Sequence, residues 1–313
     1  MSVLHLLNAS GHGGPRITAL VAVLVAVACG DRAPQPATRN PQPATRIVDD
    51  YGHAVTIAAP PTRIVSLNPA TTELLFAIGA GSRVVGRTQY DNWPDSAKLV
   101  PSVGQGIRPN LEAVLARRPD FVILYASDAD RGTVDRLAAA GVTAIALRDD
   151  HIRDLERVTM MLGQIVGDTT RARDVVDSVT ATLNRVRRAT APLPRPTVFV
   201  HAWDKPLMTL GGGSFISELL SIAGARNIYD SLAAPSQSVA IEDVVRRNPD
   251  YILVSPGEEK NVLAAPRGQS LGAVRAGRVV AYDTNLVARP AVKLGEAAVS
   301  LAKIFHPELH LGR

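Results

Sequence analysis

The feature that most restricts what this chain can fold into is an internal duplication. The run Leu111-Glu-Ala-Val-Leu-Ala-Arg-Arg-Pro-Asp-Phe-Val-Ile-Leu124 aligns position for position with Ile241-Glu-Asp-Val-Val-Arg-Arg-Asn-Pro-Asp-Tyr-Ile-Leu-Val254. A second pair recurs in the same order: Thr72-Glu-Leu-Leu with Gly79-Ala80, and Ser217-Glu-Leu-Leu with Gly224-Ala225. In each long copy an amphipathic stretch is stopped by proline and followed by a short apolar run, so helix alternates with strand. Repetition of that unit predicts two similar α/β lobes, and 313 residues suffice for two domains of ordinary size.

The first copy opens with Ile47 to Ile57, a small hairpin turning at Gly52. Arg63 to Leu67 reads as a strand, and Asn68-Pro69 then opens a helix, because Asn caps and Pro suits the first helical position. That helix runs to Gly79 or Gly81. Strands follow at Val84–Gly86, Asp120–Leu124 and Val142–Leu147, with helices at Leu111–Arg118 and Asp135–Ala140. From Ile152 to about Ala189 the chain is mostly helical, most clearly after Gly167-Asp168. There Val175, Val176, Val179, Leu183 and Val186 share one face. A helix of about 20 residues spans roughly 30 Å, enough to cross the back of both lobes and restrict hinge motion. The expected division is an N-terminal lobe at 47–165, a joining helix at 166–190 and a C-terminal lobe at 191–313, the last beginning with the strand Thr197–Val200.

The first residues carry a different signal. Arg16 precedes an apolar run, Ile17 to Ala28, that is too short for the roughly 20 residues of a spanning helix. It has the layout of a signal peptide over residues 1–29 and ends at Ala28-Cys29-Gly30, where the only cysteine stands at the position lipidated in bacterial lipoproteins. Residues 30–46 contain Pro-Gln-Pro-Ala-Thr-Arg twice and read as an extended spacer. One cysteine excludes an internal disulfide. The net charge of +5 comes mostly from arginines scattered among acids, without the basic stripe of a nucleic-acid binder. With 46% apolar and 20% charged residues the body is not disordered.

Four motifs, taken together, carry a family resemblance. They are Pro61-Thr-Arg-Ile-Val-Ser-Leu-Asn-Pro-Ala-Thr-Thr-Glu-Leu-Leu-Phe-Ala-Ile-Gly-Ala-Gly81, Val85-Gly-Arg-Thr-Gln-Tyr-Asp-Asn-Trp-Pro94, the two Pro-Asp-[Phe/Tyr] strands, and Arg289-Pro290 before a closing helix with Phe305-His-Pro-Glu308. From about Arg46 to Leu309 the chain resembles the substrate-binding proteins of ABC importers that bind cobalamin, haem or ferric siderophores, the cobalamin-binding type most closely. The resemblance implies two lobes joined by a rigid helix, a shallow ligand cleft between them, and delivery to a permease dimer. It implies a periplasmic monomer, held to a membrane through lipid on Cys29. Glu73 and Glu218 match, one per lobe, the carboxylates that dock on permease arginines; the alternative is that each favours a helix dipole. Arg289 matches a cleft arginine that contacts anionic ligand edges, and Asn285 stands where a typical cobalamin binder has an acidic residue.

Open α/β sheets bind ligands outside the carboxyl ends of their strands. The post-strand segments hold both tryptophans, Trp93 and Trp203, together with Tyr90 and Tyr125. Aromatic faces from two sides suit a planar macrocycle, though any one of them could simply fill core. The resemblance then implies cobalamin or a related corrinoid as the ligand, with haem or a ferric siderophore as the alternative, and no cofactor of the protein's own. His201 could ligate iron or cobalt or could be a hydrogen-bonded loop histidine. His306 and His310 have helical spacing, but Pro307 lies between them, so no metal site is expected. Catalysis is not expected either: Gly211-Gly-Gly-Ser214 lacks the Lys-[Ser/Thr] of a phosphate loop, and Ile216 breaks a nucleophile elbow. Ser214 reads as a helix cap. A reading of a different class is an adhesion or sensory lipoprotein that reuses the fold.

Overall fold

The computed structural model describes residues 44–260, 268–287 and 289–311. The expected signal peptide, Cys29 and nearly all of the spacer lie outside them, as does the side chain of Asn285. Among the described residues no helix is long and apolar enough to cross a membrane.

Strands β1 (Thr45–Val48) and β2 (Ala54–Ile57) pair as the expected hairpin, with Gly52 at φ +86°. The N-terminal lobe is built on β3 (Ile64–Ser66), β4 (Val84–Gly86), β5 (Phe121–Tyr125) and β6 (Thr143–Leu147), all parallel in the order β4-β3-β5-β6. Helices α1 (Pro69–Ala77), α2 (Leu111–Leu115) and α3 (Arg131–Ala139) alternate with these strands. The helical stretch that follows is two helices, α4 (Asp154–Val166) and α5 (Thr169–Thr190). They break at Gly167, whose φ of +80° ends α4 in the left-handed conformation. Asp168 then caps α5 by accepting from the Arg171 amide at 2.9 Å.

The C-terminal lobe is less regular. Its strands are β7 (Thr197–Trp203), β8 (Met208–Leu210), β9 (Arg226–Asn227), β10 (Ser236–Ser238), β11 (Tyr251–Val254) and β12 (Val279–Ala281). The path β10-β8-β7-β11-β12 is parallel through β7, β11 and β12 and antiparallel at β8 and β10. Helices α6 (Phe215–Ile222), α7 (Ile241–Arg247), α8 (Gly272–Arg275), α9 (Thr284–Val287) and α10 (Leu294–Phe305) complete it.

The duplication is visible in chemical detail. The Asp120 carboxylate accepts from the amide and hydroxyl of Thr62 at 2.8 and 2.7 Å, and Asp250 does the same to Thr197 at 2.7 Å for both. Each Pro-Asp motif thus fastens the start of one strand to the start of its neighbour. Arg118 and Asn248, the residues before the two prolines, both take positive φ, as do Gly79 and Gly224 after α1 and α6.

Helix α5 buries Ala172, Val176, Val179, Leu183 and Val186 and packs against α4 and α1 of one lobe and α10 and α6 of the other. One apolar cluster consequently runs without interruption from Ile64 and Leu74 through Val179 and Leu183 to Val200, Leu219 and Leu301. Separate clusters cover the far face of each sheet, around Val122 and Leu124 in one lobe and Phe199 and Ile252 in the other. Burying that continuous surface ties both lobes to a common helical layer.

Candidate ligand cleft and lobe seam

The carboxyl ends of β3 and β5 open onto a cavity of about 320 Å³ lined by Leu67, Asn68, Pro69, Thr88, Tyr90, Gln105, Gly106, Ile107 and Tyr125. Its walls are chiefly apolar, and both Tyr90 and Ile107 are about half exposed (52% and 51%). Gly106 is required for this shape, because a Cβ there would lie 2.2 Å from the Leu67 carbonyl oxygen. The loop from Gly104 to Asn110 can therefore cross the end of β3 only with glycine at that point.

The polar floor is fixed from below. Asn68 caps α1 by accepting from the Ala70 amide at 2.9 Å, and its amide group donates to both oxygens of Asp149 at 3.1 Å. Burial pushes the Asp149 carboxyl up to about 7, against the hydrogen bond from Asn68. The Tyr125 hydroxyl donates to Asp150 at 2.5 Å. Burial, then the hydrogen bond and charge of Asp150, raise that phenol well above the usual tyrosine range, so it stays neutral at ordinary pH. Such a site supplies a flat apolar wall with a few oriented polar groups, which is the composition of a small-molecule pocket.

Of the residues predicted from sequence, Tyr90 and Tyr125 meet in this cavity. Arg289 arrives from the opposite lobe, its Nη2 3.5 Å from the Tyr90 carbonyl oxygen. Trp93 does not line the cavity. Its ring is covered by the Lys293 ammonium, 4.9 Å from the centroid. Trp203 is the last residue of β7, 63% exposed, with its indole donating to the Lys205 carbonyl at 3.2 Å. Both β5 and β7 extend beyond the expected strands and take in Tyr125 and Trp203 as their last residues.

Glu73 departs from the sequence expectation of an outward docking carboxylate. Its side chain is 1% exposed, and its Oε1 accepts from Arg289 Nη1 at 2.9 Å. Residues Ala70 to Leu75 of α1 are all buried, because the helix is enclosed by β3, α4 and α5. Burial pushes the Glu73 carboxyl up to about 7; Arg289 and Lys293 oppose this and nearby Asp91 adds to it. Its Oε2 is buried without a hydrogen-bond partner. Glu218 is one-third exposed and also engaged: Oε1 lies 2.6 Å from His151 Nδ1, and Oε2 accepts from the Ile152 amide at 3.1 Å.

A different pair of repeat-related acids, Glu112 and Glu242 in the first turns of α2 and α7, does face solvent. They occupy equivalent positions in the long internal alignment, so the signal for them was inside the repeat itself. Also outside the sequence-based candidates were Gln105, Gly106 and Ile107, whose signal is the Gly104-x-Gly106 spacing, and His151.

His201 is 4% exposed, edge-on to Phe199, with Nε2 3.6 Å from Asp204. His306 is buried with Nε2 3.3 Å from the Gly224 carbonyl oxygen. Among the described residues no group of three or more His, Cys, Asp or Glu side chains could hold a metal ion. The glycine run is structural: a Cβ on Gly212 would sit 1.9 Å from the Asp230 carbonyl oxygen, and Ser214 caps α6 by accepting from the Ser217 amide at 3.3 Å. A larger cavity, about 760 Å³, lies between α5 and α10, lined by Arg185, Glu296 and Lys303 among others, and contains none of the predicted residues.

Residues 64–286 match the family described as periplasmic binding protein. The chain is 29% identical over 305 residues to the uncharacterized ABC transporter substrate-binding lipoprotein YvrC of Bacillus subtilis, covering 92% of this chain and 95% of that protein. It is 30% identical over 193 residues to the vitamin B12-binding protein of Yersinia pestis, covering 62% of this chain and 69% of the relative. Among solved structures, the vitamin B12 binding protein BtuF of Vibrio cholerae aligns with a TM-score of 0.70 at 23% identity, covering 80% of this chain and 99% of that one. The heme-binding protein RhuT of Roseiflexus aligns at 0.72 and 24% identity, covering 78% and 98%.

Proposed function

Since the chain belongs to the periplasmic binding protein family and is a substrate-binding transport protein, not an enzyme, we propose that it captures cobalamin or a related corrinoid and delivers it to an ABC permease dimer. The observation that carries this reading is the cleft: a largely apolar wall presenting Tyr90 and Tyr125, approached from the other lobe by Arg289. A cavity of about 320 Å³ takes one edge of a macrocycle rather than the whole of it, and in this reading the exposed Trp203, at the end of β7, offers a face to the remainder. Aromatic faces and a guanidinium suit a flat ring with amide or acidic edges. The similarity to a vitamin B12-binding relative supports the choice of ring.

A second reading, haem, is favoured by the half-exposed Tyr90, since a phenol oxygen at a cleft edge is a known axial donor to ferric iron. Titration of the purified protein with cyanocobalamin, haemin and a ferric hydroxamate, followed by visible absorption and tryptophan emission, tests both. A saturable change with cyanocobalamin is expected. A shifted Soret band with haemin alone would move the assignment to the second reading, and silence with all three would sink the ligand class.

Delivery to a twofold permease calls for equivalent charges on both lobes. Glu112 and Glu242 fit that need: repeat-related, solvent-facing and set at matching helix starts. Charge reversal at both (E112K with E242K) is expected to abolish stimulation of the reconstituted permease, since rim charges steer encounter and fix register. Attachment through a lipidated Cys29 completes the proposal. Metabolic labelling with a fatty acid should mark the wild-type chain and not C29S.

A further inference from the structure

We infer that Glu73 and Glu218 are paired clasps, one on each lobe, that reach across to the opposite lobe and set the width of the cleft, Glu73 by positioning Arg289 against the Tyr90 wall. Glu73 lies on α1, the first helix of the N-terminal lobe, and Glu218 lies on α6, the repeat-equivalent helix of the C-terminal lobe. Glu73 holds Arg289, in the segment between α9 and α10, whereas Glu218 holds His151 and the Ile152 amide, in the segment between β6 and α4. Helices α4 and α10 are themselves equivalent, since each follows the last strand of its sheet and packs on α5. The two contacts are thus one contact made twice, in opposite directions, across the same junction.

A carboxylate merely favouring its own helix dipole would need no partner in the other lobe. Both of these acids have one. The Glu73 side is reinforced at the same place by Lys293 over the Trp93 ring and by the Arg289 approach to the Tyr90 carbonyl. The charged groups facing Glu73 are Arg289 and Lys293 from the segment before α10 and Asp91 from the loop after β4. Because Arg289 is 15% exposed and Tyr90 lines the cavity, releasing Glu73 frees both the seam and one wall of the ligand site. The inference shares only the cleft with the proposed function and does not depend on which ligand is carried.

The test therefore uses no ligand. Spin labels on A139C and Q237C, one exposed position per lobe, in a full-length C29S background report the interlobe distance. E73A and R289A should each lengthen and broaden the distance distribution, and the double variant should do no more than either alone, because both remove the same clasp. E73Q keeps an acceptor for Arg289 and should restore the wild-type distance. E218A should lengthen it independently, and E73A with E218A should give the largest separation. Should E73A fail to fold, R289M removes the same pair from its more accessible side. Unchanged distances in folded E73A/E218A, or full additivity of E73A and R289A, would overturn the inference.

Discussion

The two ends of the lobe junction use the same residue type at equivalent positions and bury it very differently. At one end Glu73 and Arg289 are 1% and 15% exposed; at the other Glu218 and His151 are 33% and 25% exposed. Contact length alone would rank the second higher, at 2.6 against 2.9 Å. Solvent reverses the ranking. A buried pair is costly to assemble and very costly to break halfway, whereas an exposed one is screened and exchanges readily with water. The same acid stands at both ends, and the packing of α1 between β3, α4 and α5 sets its energetics.

The sharpest way to break the comparison is to remove the guanidinium. R289M leaves Glu73 buried with no cation in hydrogen-bond reach, and losing one partner of a buried pair typically costs about 3–5 kcal/mol. The full loss is expected at pH 8, measured by denaturant unfolding. Below about pH 5.5 the loss should shrink, because Glu73, pushed up to about 7, already carries a proton there. A loss independent of pH would show that Arg289 acts through packing alone.

Next in size is the pH profile of the wild type against E73Q. The folded-state Glu73 carboxyl titrates at about 7, above its ordinary 4.5, so the folded protein binds the proton more tightly than the unfolded chain. Stability from this group is therefore fully present below about 4.5 and lost as pH rises through about 7. At about 1.4 kcal/mol per pKa unit this amounts to about 3 kcal/mol. E73Q should lack this decline and gain on the wild type from pH 4.5 to 8. Asp149, raised to about 7 by burial, contributes with the same sign, so D149N should flatten the remaining slope.

The contrast also explains what is legible in the sequence. Strand and helix order follows from local pattern: the Asn68 cap, the Gly52 turn and the paired Pro-Asp strands stand where the residues place them. The two lobes follow from the repeat. The partners of Glu73 do not, because Arg289 is 216 residues away and no period links them. One clue was available: α1 reads Pro-Ala-Thr-Thr-Glu-Leu-Leu-Phe-Ala with no polar stripe besides the acid, and a helix apolar on all sides is buried. Helix α2, by contrast, sets Glu112 at an exposed first-turn position and Val114 in the core, so its acid faces out. Reading amphipathicity helix by helix separates the interior acids from the exterior ones. Matching them to a motif does not.

A smaller effect isolates the cation over the indole. K293M removes the charge 4.9 Å from the Trp93 centroid, and such contacts contribute about 0.5–1 kcal/mol when partly exposed. With W203F leaving Trp93 as the sole tryptophan, its emission should shift when Lys293 is removed. It should shift the same way in E73A, because both changes loosen one seam. A shift in K293M alone would place Trp93 outside the clasp.

The smallest effect belongs to the exposed end, and it decides whether burial or mere position governs these acids. E218A deletes the contact to His151 and leaves the Ile152 amide to water, which can reach a site one-third open. Exposed pairs contribute about 0.2–1 kcal/mol and are screened by salt. Unfolding of E218A should therefore cost less than about 1 kcal/mol at low ionic strength, and the difference should fall further in high salt. R289M should keep most of its loss under the same conditions, since a buried pair is poorly screened. Equal losses that respond equally to salt would mean that the two seams differ in geometry only, and that the dielectric contrast between a 1% and a 33% exposed carboxylate has no energetic consequence here.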